Sequence, residues 1–149
     1  MARTSEADCP FCEIVERDDP DAREVYRDEQ VVAFFPTEPA TLGHTLVVPR
    51  HHIPDIWSLD ASTAAHLARV IVRLARVMQR ALQPEGLNVI QSNGAVATQT
   101  VAHLHVHVVP RWADDELGRI WPPETAYTER QKDAAWEALR SACREEMRR

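Results

Sequence analysis

Three histidines alternate with apolar residues in the segment 103–109, and this pattern constrains the fold more than any other feature of the chain. The histidines are His103, His105 and His107, with Leu104, Val106 and Val108 between and after them. Successive side chains of a strand point to opposite faces. We therefore expect the apolar residues to enter the core and the histidines to share the other face, about 7 Å apart. That spacing suits a site around a phosphate-sized group.

Imidazole chemistry favours a covalent transfer at this face. Near neutral pH an imidazole can be an uncharged nucleophile or a protonated donor. One histidine could attack, another could orient and protonate, and the third could bind a metal or support the strand. The alternative is a half-buried strand that merely carries three exposed histidines. The preceding polar loop, residues 92–100, offers candidate anion ligands in Asn93, Gln99 and Thr100.

The remaining patterns predict an α+β fold in one domain, with an antiparallel sheet of about five strands. The predicted strands cover residues 24–28, 30–35, 45–48, 87–91 and 102–109. Apolar residues at spacings of three and four predict one long helix that begins near Asp60 or Ser62 and stops at Pro84. A similar pattern predicts a C-terminal helix within residues 125–149.

Composition excludes several classes of protein. The formal net charge of −6 argues against a bulk nucleic-acid binder, which usually carries a strong positive field. The chain has no apolar run long enough to span a membrane, and residues 1–8 lack the apolar segment of a secretion signal. Three cysteines, an odd number, indicate a reducing compartment. We therefore predict a cytoplasmic protein.

Two of the cysteines have the spacing of half a zinc site. Cys9 and Cys12 are separated by two residues, so that two thiolates could reach one ion from a tight turn. The alternatives are a redox pair or two thiols without a role. Cys143 has no partner in the pattern and is interpreted as a small apolar filler.

Several segments, in the same order along the chain, resemble the histidine-triad (HIT) superfamily of nucleotidyl hydrolases and transferases. The histidine pattern follows Gln99-Thr100-Val101 and precedes Pro110-Arg111, as in that family. The segments 9–15, 43–50 and 86–88 resemble it too. The resemblance covers a core of about 9–112 and leaves a C-terminal helical extension of about 113–149. It implies a HIT-like fold that is usually a homodimer.

The resemblance implies a function. Family members cleave the α-phosphorus bond of a nucleotide-type small molecule, such as a nucleoside phosphoramidate or a dinucleoside polyphosphate. His105 would be the nucleophile and form a nucleotidyl-histidine intermediate, and His107 would contact the phosphate and help the leaving group depart. Asn93, Gln99 and Thr100 would bind the substrate. A nucleotidyl transferase or phosphorylase and a non-catalytic nucleotide-binding regulator remain as alternatives.

The resemblance also implies a structural zinc ion held by Cys9, Cys12, His52 and His103. His44 is interpreted as a structural hydrogen-bonding residue at a strand start. The chain departs from the family at Pro36, where an Asp or Asn usually binds the ribose, and at Ser92 and Thr98 in the loop. These departures leave the chemistry of His105 intact and point to a substrate that differs from standard adenosine compounds.

Overall fold

The computed structural model describes residues 8–17 and 22–149. These residues form two compact units, the first ending at Leu117 and the second running from Gly118 to Arg149. Residues 1–7, where we predict no secretion signal, lie outside the described part of the chain. Within that part, no helix combines the length and the apolar character needed to cross a membrane.

Five antiparallel strands form the sheet of the first unit. They are β1 (Glu24–Arg27), β2 (Val31–Phe34), β3 (Thr45–Pro49), β4 (Gly86–Gln91) and β5 (Val106–Arg111). Their order in the sheet is β1-β2-β3-β5-β4, so β3 and β4 flank the strand that carries the last histidine of the triad. The predicted fold class is confirmed.

Both faces of the sheet are covered, and the side-chain alternation of β2 shows how. Val31 and Ala33 pack in one core cluster with the long helix α2 (Ala61–Leu82). Val32 and Phe34 pack in a second cluster with α1 (Pro10–Glu16). Because successive strand residues point to opposite faces, α1 and α2 lie on opposite faces of the sheet. This explains why all four residues of β2 are buried.

The long helix begins and ends as its sequence predicts. Asp60 is the N-cap, and its carboxylate accepts a hydrogen bond from the backbone N–H of Thr63 at 2.9 Å. Gln83 closes the helix in the left-handed conformation with φ 51°. Pro84 follows, which cannot continue a helix.

The predicted start of the histidine strand at residue 102 is wrong, because β5 begins at Val106. Pro49, the last residue of β3, has no N–H to donate to a ladder. Its carbonyl accepts a hydrogen bond from Nε2 of His103 at 2.8 Å. The N–H of Leu104 donates to the carbonyl of Ile53 at 2.6 Å instead of to a neighbouring strand. The apolar alternation nevertheless holds, since Leu104 and Val106 lie in the α2 core cluster.

One helical feature differs from the sequence prediction, and a second agrees with it. The Cys9/Cys12 segment forms the first turn of α1 instead of an isolated tight turn, and Pro10 occupies the first helical position, which proline favours. In the second unit, α3 (Glu129–Glu146) starts inside the predicted range because Thr128 and Gln131 form a capping box.

Candidate active site

The histidine site lies on the α1 face of the sheet. His107 is directly opposite Leu46 in the β3–β5 ladder, and Leu46 packs in the cluster that contains Val15 of α1. Directly opposed residues of an antiparallel pair point to the same face. The rings of His105 and His107 are 4.9 Å apart, so the two imidazoles form one site.

His105 is buried, with 5% of its surface exposed, and one hydrogen bond fixes its tautomer. Its Nδ1 lies 2.7 Å from the carbonyl oxygen of His103, which can only accept. Nδ1 therefore carries the proton, and Nε2 presents a lone pair. Burial lowers the pKa of His105, which keeps the ring neutral near pH 7. A neutral imidazole with a free Nε2 is a competent nucleophile.

A second chain of hydrogen bonds fixes His107 through His44. The backbone N–H of Ala40 donates to Nδ1 of His44 at 3.0 Å, so the proton of this ring is on Nε2. That Nε2 lies 2.9 Å from Nδ1 of His107 and donates to it. His107 consequently carries its own proton on Nε2. The prediction that His44 is a structural hydrogen-bonding residue is confirmed.

The pKa of His107 is lowered to about 4, first by burial and then by charge repulsion from the neighbouring His105 and His44. His107 is therefore a neutral hydrogen-bond donor near pH 7. The site combines one imidazole that offers a lone pair with a second that offers an N–H. Such a pair can attack a phosphorus centre and stabilise charge on its oxygens or on the leaving group.

Phe11 of α1 forms a wall beside the nucleophile. Its ring lies edge-on to the ring of His105, with centroids 5.1 Å apart and an interplanar angle of 85°. The same ring contacts Phe34 with a centroid separation of 5.6 Å. Sequence reasoning missed Phe11, because nothing in the spacing of the Cys9/Cys12 segment indicates which core face α1 covers.

The four predicted metal ligands come together. Their ligand atoms all lie within 4.8 Å of one another, and the set comprises Cys9, Cys12, His52 and His103. Nδ1 of His103 lies 3.5 Å from the sulfur of Cys9 and 3.5 Å from the sulfur of Cys12. Nδ1 of His52 lies 3.3 Å from the sulfur of Cys12. A tetrahedral zinc ion at normal bond lengths separates its sulfur and nitrogen ligands by about 3.5 Å.

The tautomer of His103 also suits a metal. Its Nε2 donates to the carbonyl of Pro49, so Nδ1 presents a lone pair toward the thiols. His103 and Cys9 are almost completely buried. The donor set of two thiols and two imidazoles is typical of closed, structural zinc sites. The residues therefore fit zinc.

The three predicted substrate-binding residues differ in their surroundings. Both ends of the Gln99 side chain are engaged, because Oε1 accepts from the N–H of Gly94 at 2.8 Å and Nε2 donates to the carbonyl of Pro54 at 2.7 Å. Oδ1 of Asn93 accepts from the N–H of Ile56 at 2.7 Å. Thr100 is exposed. The loop thus brings its two amides to the chain segment that follows His52, while Thr100 faces solvent.

Known proteins share this architecture. The chain matches the HIT domain family over residues 17–114. It is 38% identical over 114 residues to the Bacillus subtilis protein called Protein hit, covering 76% of this chain and 78% of that protein. It is 34% identical over 115 residues to the adenosine 5'-monophosphoramidase hnt1 of Schizosaccharomyces pombe, covering 76% of this chain and 83% of that protein.

A solved structure agrees with these sequence matches. The crystal structure of a zinc-bound histidine triad family protein from Mycobacterium smegmatis is similar with a TM-score of 0.70 at 37% identity, covering 93% of this chain and 99% of that one. The family match, the identities and the shared fold confirm the resemblance inferred from the motifs: the chain belongs to the HIT family.

Proposed function

We propose that the protein is a hydrolase that cleaves the α-phosphorus bond of a nucleoside phosphoramidate or dinucleoside polyphosphate through a nucleotidyl-histidine intermediate. The observation that carries this proposal is the pair of fixed tautomers. His105 presents a lone pair on Nε2, and the adjacent His107 presents an N–H. The named activity of the fission yeast relative, a monophosphoramidase, supports this substrate class.

The reaction follows from the two imidazoles. Nε2 of His105 attacks the α-phosphorus, and the bond to the leaving amine or phosphate breaks as the phosphorus–nitrogen bond forms. His107 donates a hydrogen bond from Nε2 to a phosphate oxygen or to the atom that leaves, which stabilises the charge that develops there. A leaving amine takes up the Nε2 proton of His107 as its bond to phosphorus breaks. Water then attacks the adduct and loses a proton, which returns to Nε2 of His107, and the nucleoside monophosphate is released with His105 restored.

The loop residues 93–100 border the reacting phosphate in this proposal. Thr100 would bind a phosphate oxygen, because its hydroxyl is exposed at the last position of the loop, three residues before His103. Asn93 and Gln99 would contribute through the position and shape of the loop, since Asn93 accepts from the N–H of Ile56 and Gln99 accepts from that of Gly94. The side chain of Pro36 offers no polar group to a ribose, so the base and sugar preference is expected to differ from that of adenosine-specific relatives.

We further propose that Cys9, Cys12, His52 and His103 hold a structural zinc ion, as the fit of their ligand atoms supports. Zinc would cross-link α1 to His103, which lies two residues before the proposed nucleophile His105. Thiols that bind zinc must stay reduced, which supports a cytoplasmic location. The HIT core would span about residues 9–112, with 113–149 as its helical extension.

We also propose that the protein is a homodimer that pairs the β4 edge of the sheet and the adjacent α2 surface. Among the described strands, β4 has β5 as its one neighbour. Val89 on β4 and Val72 on α2 are about half exposed, at 51% and 49%. A groove of about 400 Å³ lies between α2 and the start of β4. Light scattering on wild-type protein and Val89→Lys tests this, and a monomeric wild type would contradict it.

Mass spectrometry tests the enzymatic proposal. Wild-type protein, His105→Asn and His51→Asn are incubated with adenosine, guanosine and cytidine phosphoramidates and with a diadenosine polyphosphate. His51 is exposed and serves as the matched histidine control. Wild type and the control should release nucleoside monophosphate, and His105→Asn should not.

Other outcomes would favour the alternatives. Product that forms only when phosphate or a sugar phosphate is added would indicate a transferase or phosphorylase. Saturable nucleotide binding, with neither product nor an adduct on His105, would indicate a regulator.

A further inference from the structure

We propose that Gln99 is a positioning residue whose amide couples the metal site to the loop that borders the substrate. This inference rests on the proposed function only in that the loop 93–100 borders the substrate. The Gln99 side chain is buried, with 8% of its surface exposed, and contacts backbone groups at both ends. Because the N–H of Gly94 can only donate and the carbonyl of Pro54 can only accept, the orientation of the amide is fixed.

The loop depends on this side chain for its shape. Residues 94–99 contain one short 3₁₀ turn, Ala95–Ala97, and two residues with positive φ, Gly94 at 86° and Thr98 at 70°. The backbone N–H of Gln99 also donates to the carbonyl of Gly94 at 3.1 Å. Gln99 therefore closes the loop on itself through both its backbone and its side chain, and then ties the closed loop to Pro54.

The segment that receives this tie begins one residue after the metal ligand His52. Three hydrogen bonds hold it to Leu104 and to the loop. The carbonyl of Ile53 accepts from Leu104, that of Pro54 accepts from Gln99, and the N–H of Ile56 donates to Asn93. The segment 53–56 thus has backbone bonds to the loop and to the residue between His103 and His105. His52 directly precedes the segment 53–56, and His103 directly precedes Leu104. A metal that holds both histidines would therefore hold both partners of the bond between Ile53 and Leu104 in place.

The positioning role of Gln99 is separate from any contact with the phosphate. It uses one of the two N–H groups of the amide, which donates to the carbonyl of Pro54 at 2.7 Å. The inferred role predicts a reciprocal effect, because any coupling between two sites acts equally in both directions. Loss of the tie must loosen the loop in zinc-loaded protein and must also weaken zinc binding.

Gln99→Glu tests the tie with little change in shape. The carboxylate can still accept from the N–H of Gly94 but cannot donate to the carbonyl of Pro54. Gln30→Glu, at an exposed position in the β1–β2 turn, is the matched control for the added charge. Ile56→Pro is a second variant: it removes the N–H that bonds to Asn93 at the first position of a 3₁₀ helix, where proline fits.

Hydrogen exchange and zinc competition provide the readouts, and neither requires a substrate. In zinc-loaded Gln99→Glu, amides of residues 93–100 should exchange about tenfold faster than in wild type, while α2 amides are unchanged. Competition with a chromophoric chelator should show zinc affinity reduced about fivefold or more. Ile56→Pro should shift both readouts in the same direction, and Gln30→Glu should shift neither.

Unchanged loop exchange in zinc-loaded Gln99→Glu, or unchanged zinc affinity, would overturn the coupling. Failure of the enzymatic proposal would be separate, because it would leave the exchange and zinc results intact. A protein that shows the coupling but cleaves no phosphoramidate would keep Gln99 as a positioning residue of a binding site.

Discussion

Nε2 of His44 lies 2.9 Å from Nδ1 of His107, and the two rings are 63 residues apart in the chain. The hydrogen bond connects the residue before β3 with the second residue of β5, and these two strands are neighbours in the sheet. Its direction is set by a backbone N–H, that of Ala40, which holds the opposite nitrogen of His44. The protonation of His107 is therefore determined by the local fold around Ala40 rather than by the substrate.

Loss of this hydrogen bond is expected to reduce turnover. His44→Phe keeps a planar ring but removes both nitrogens, so Nδ1 of His107 loses its donor and the tautomer is no longer fixed. Removal of a partner that orients a metal-binding histidine typically costs 10- to 100-fold in activity, and by analogy we expect kcat to fall by about that factor. Steady-state kinetics with the phosphoramidate that wild type cleaves best measures the effect.

His44→Gln serves as the conservative comparison, because its amide can still donate to His107. It should recover part of the lost kcat, and zinc content should stay at the wild-type level in both variants. Equal activity in His44→Phe and wild type would show that the tautomer of His107 does not matter for turnover.

The stability of the protein should depend on pH through His107. Its pKa is about 4 in the folded protein and 6.5 as the ordinary value. Between these values the unfolded chain binds a proton that the folded chain does not. The contribution of His107 to stability is therefore complete above pH 6.5 and is lost as the pH falls toward 4. The slope is at most about 1.4 kcal/mol per pH unit for one such group.

Urea unfolding of wild type and His107→Asn from pH 7 to pH 4.5, at matched zinc content, measures this contribution. The free energy of unfolding of the variant should fall less steeply as the pH is lowered. His51→Asn, at an exposed position, should keep the wild-type slope. Identical slopes for wild type and His107→Asn would contradict the inferred burial effect.

Zinc removal should destabilise the fold more than it changes the chemical step. An ion that binds only the folded state adds about 4 kcal/mol when its free concentration is a thousand times its Kd. For a chain of this size that corresponds to a Tm shift of roughly 10 to 15 °C. Cys12→Ser should lose most of this shift and most of the bound zinc. Cys143→Ser, at an exposed cysteine of α3, should lose neither, as differential scanning calorimetry and zinc analysis can show.

Thr98 offers a stabilising substitution. It has φ 70°, a left-handed conformation that is costly for a β-branched residue. Glycine removes that cost but adds entropy to the unfolded chain, so Thr98→Gly should raise the free energy of unfolding by about 0.5–1 kcal/mol. Thr100→Gly, at an exposed neighbour whose φ is not positive, should lower it. Chemical denaturation of both variants gives the comparison, and a loss of stability in Thr98→Gly would contradict the argument.

The alternation of apolar residues predicts the core side of β5 correctly, because Leu104 and Val106 obey the strand period even where the backbone leaves the ladder. The start of that strand was not predictable, since it depends on the carbonyl of Pro49 binding His103 across 54 residues. The spacing of Cys9 and Cys12 indicates half of the metal cluster, and the resemblance supplied His52 and His103. The contact of Gln99 with Pro54 joins two loops and has no period or motif in the sequence.

The position of β4 at the border of the sheet has a practical consequence for handling the protein. β4 is an edge strand and carries an exposed valine, Val89. An edge strand can pair with an extended peptide as a further strand, which is a common origin of aggregation. A substitution that breaks the proposed dimer but leaves the β4 edge flat and apolar would favour precipitation. A lysine at Val89 places a charge on the border itself, so a separated subunit should stay in solution and remain measurable.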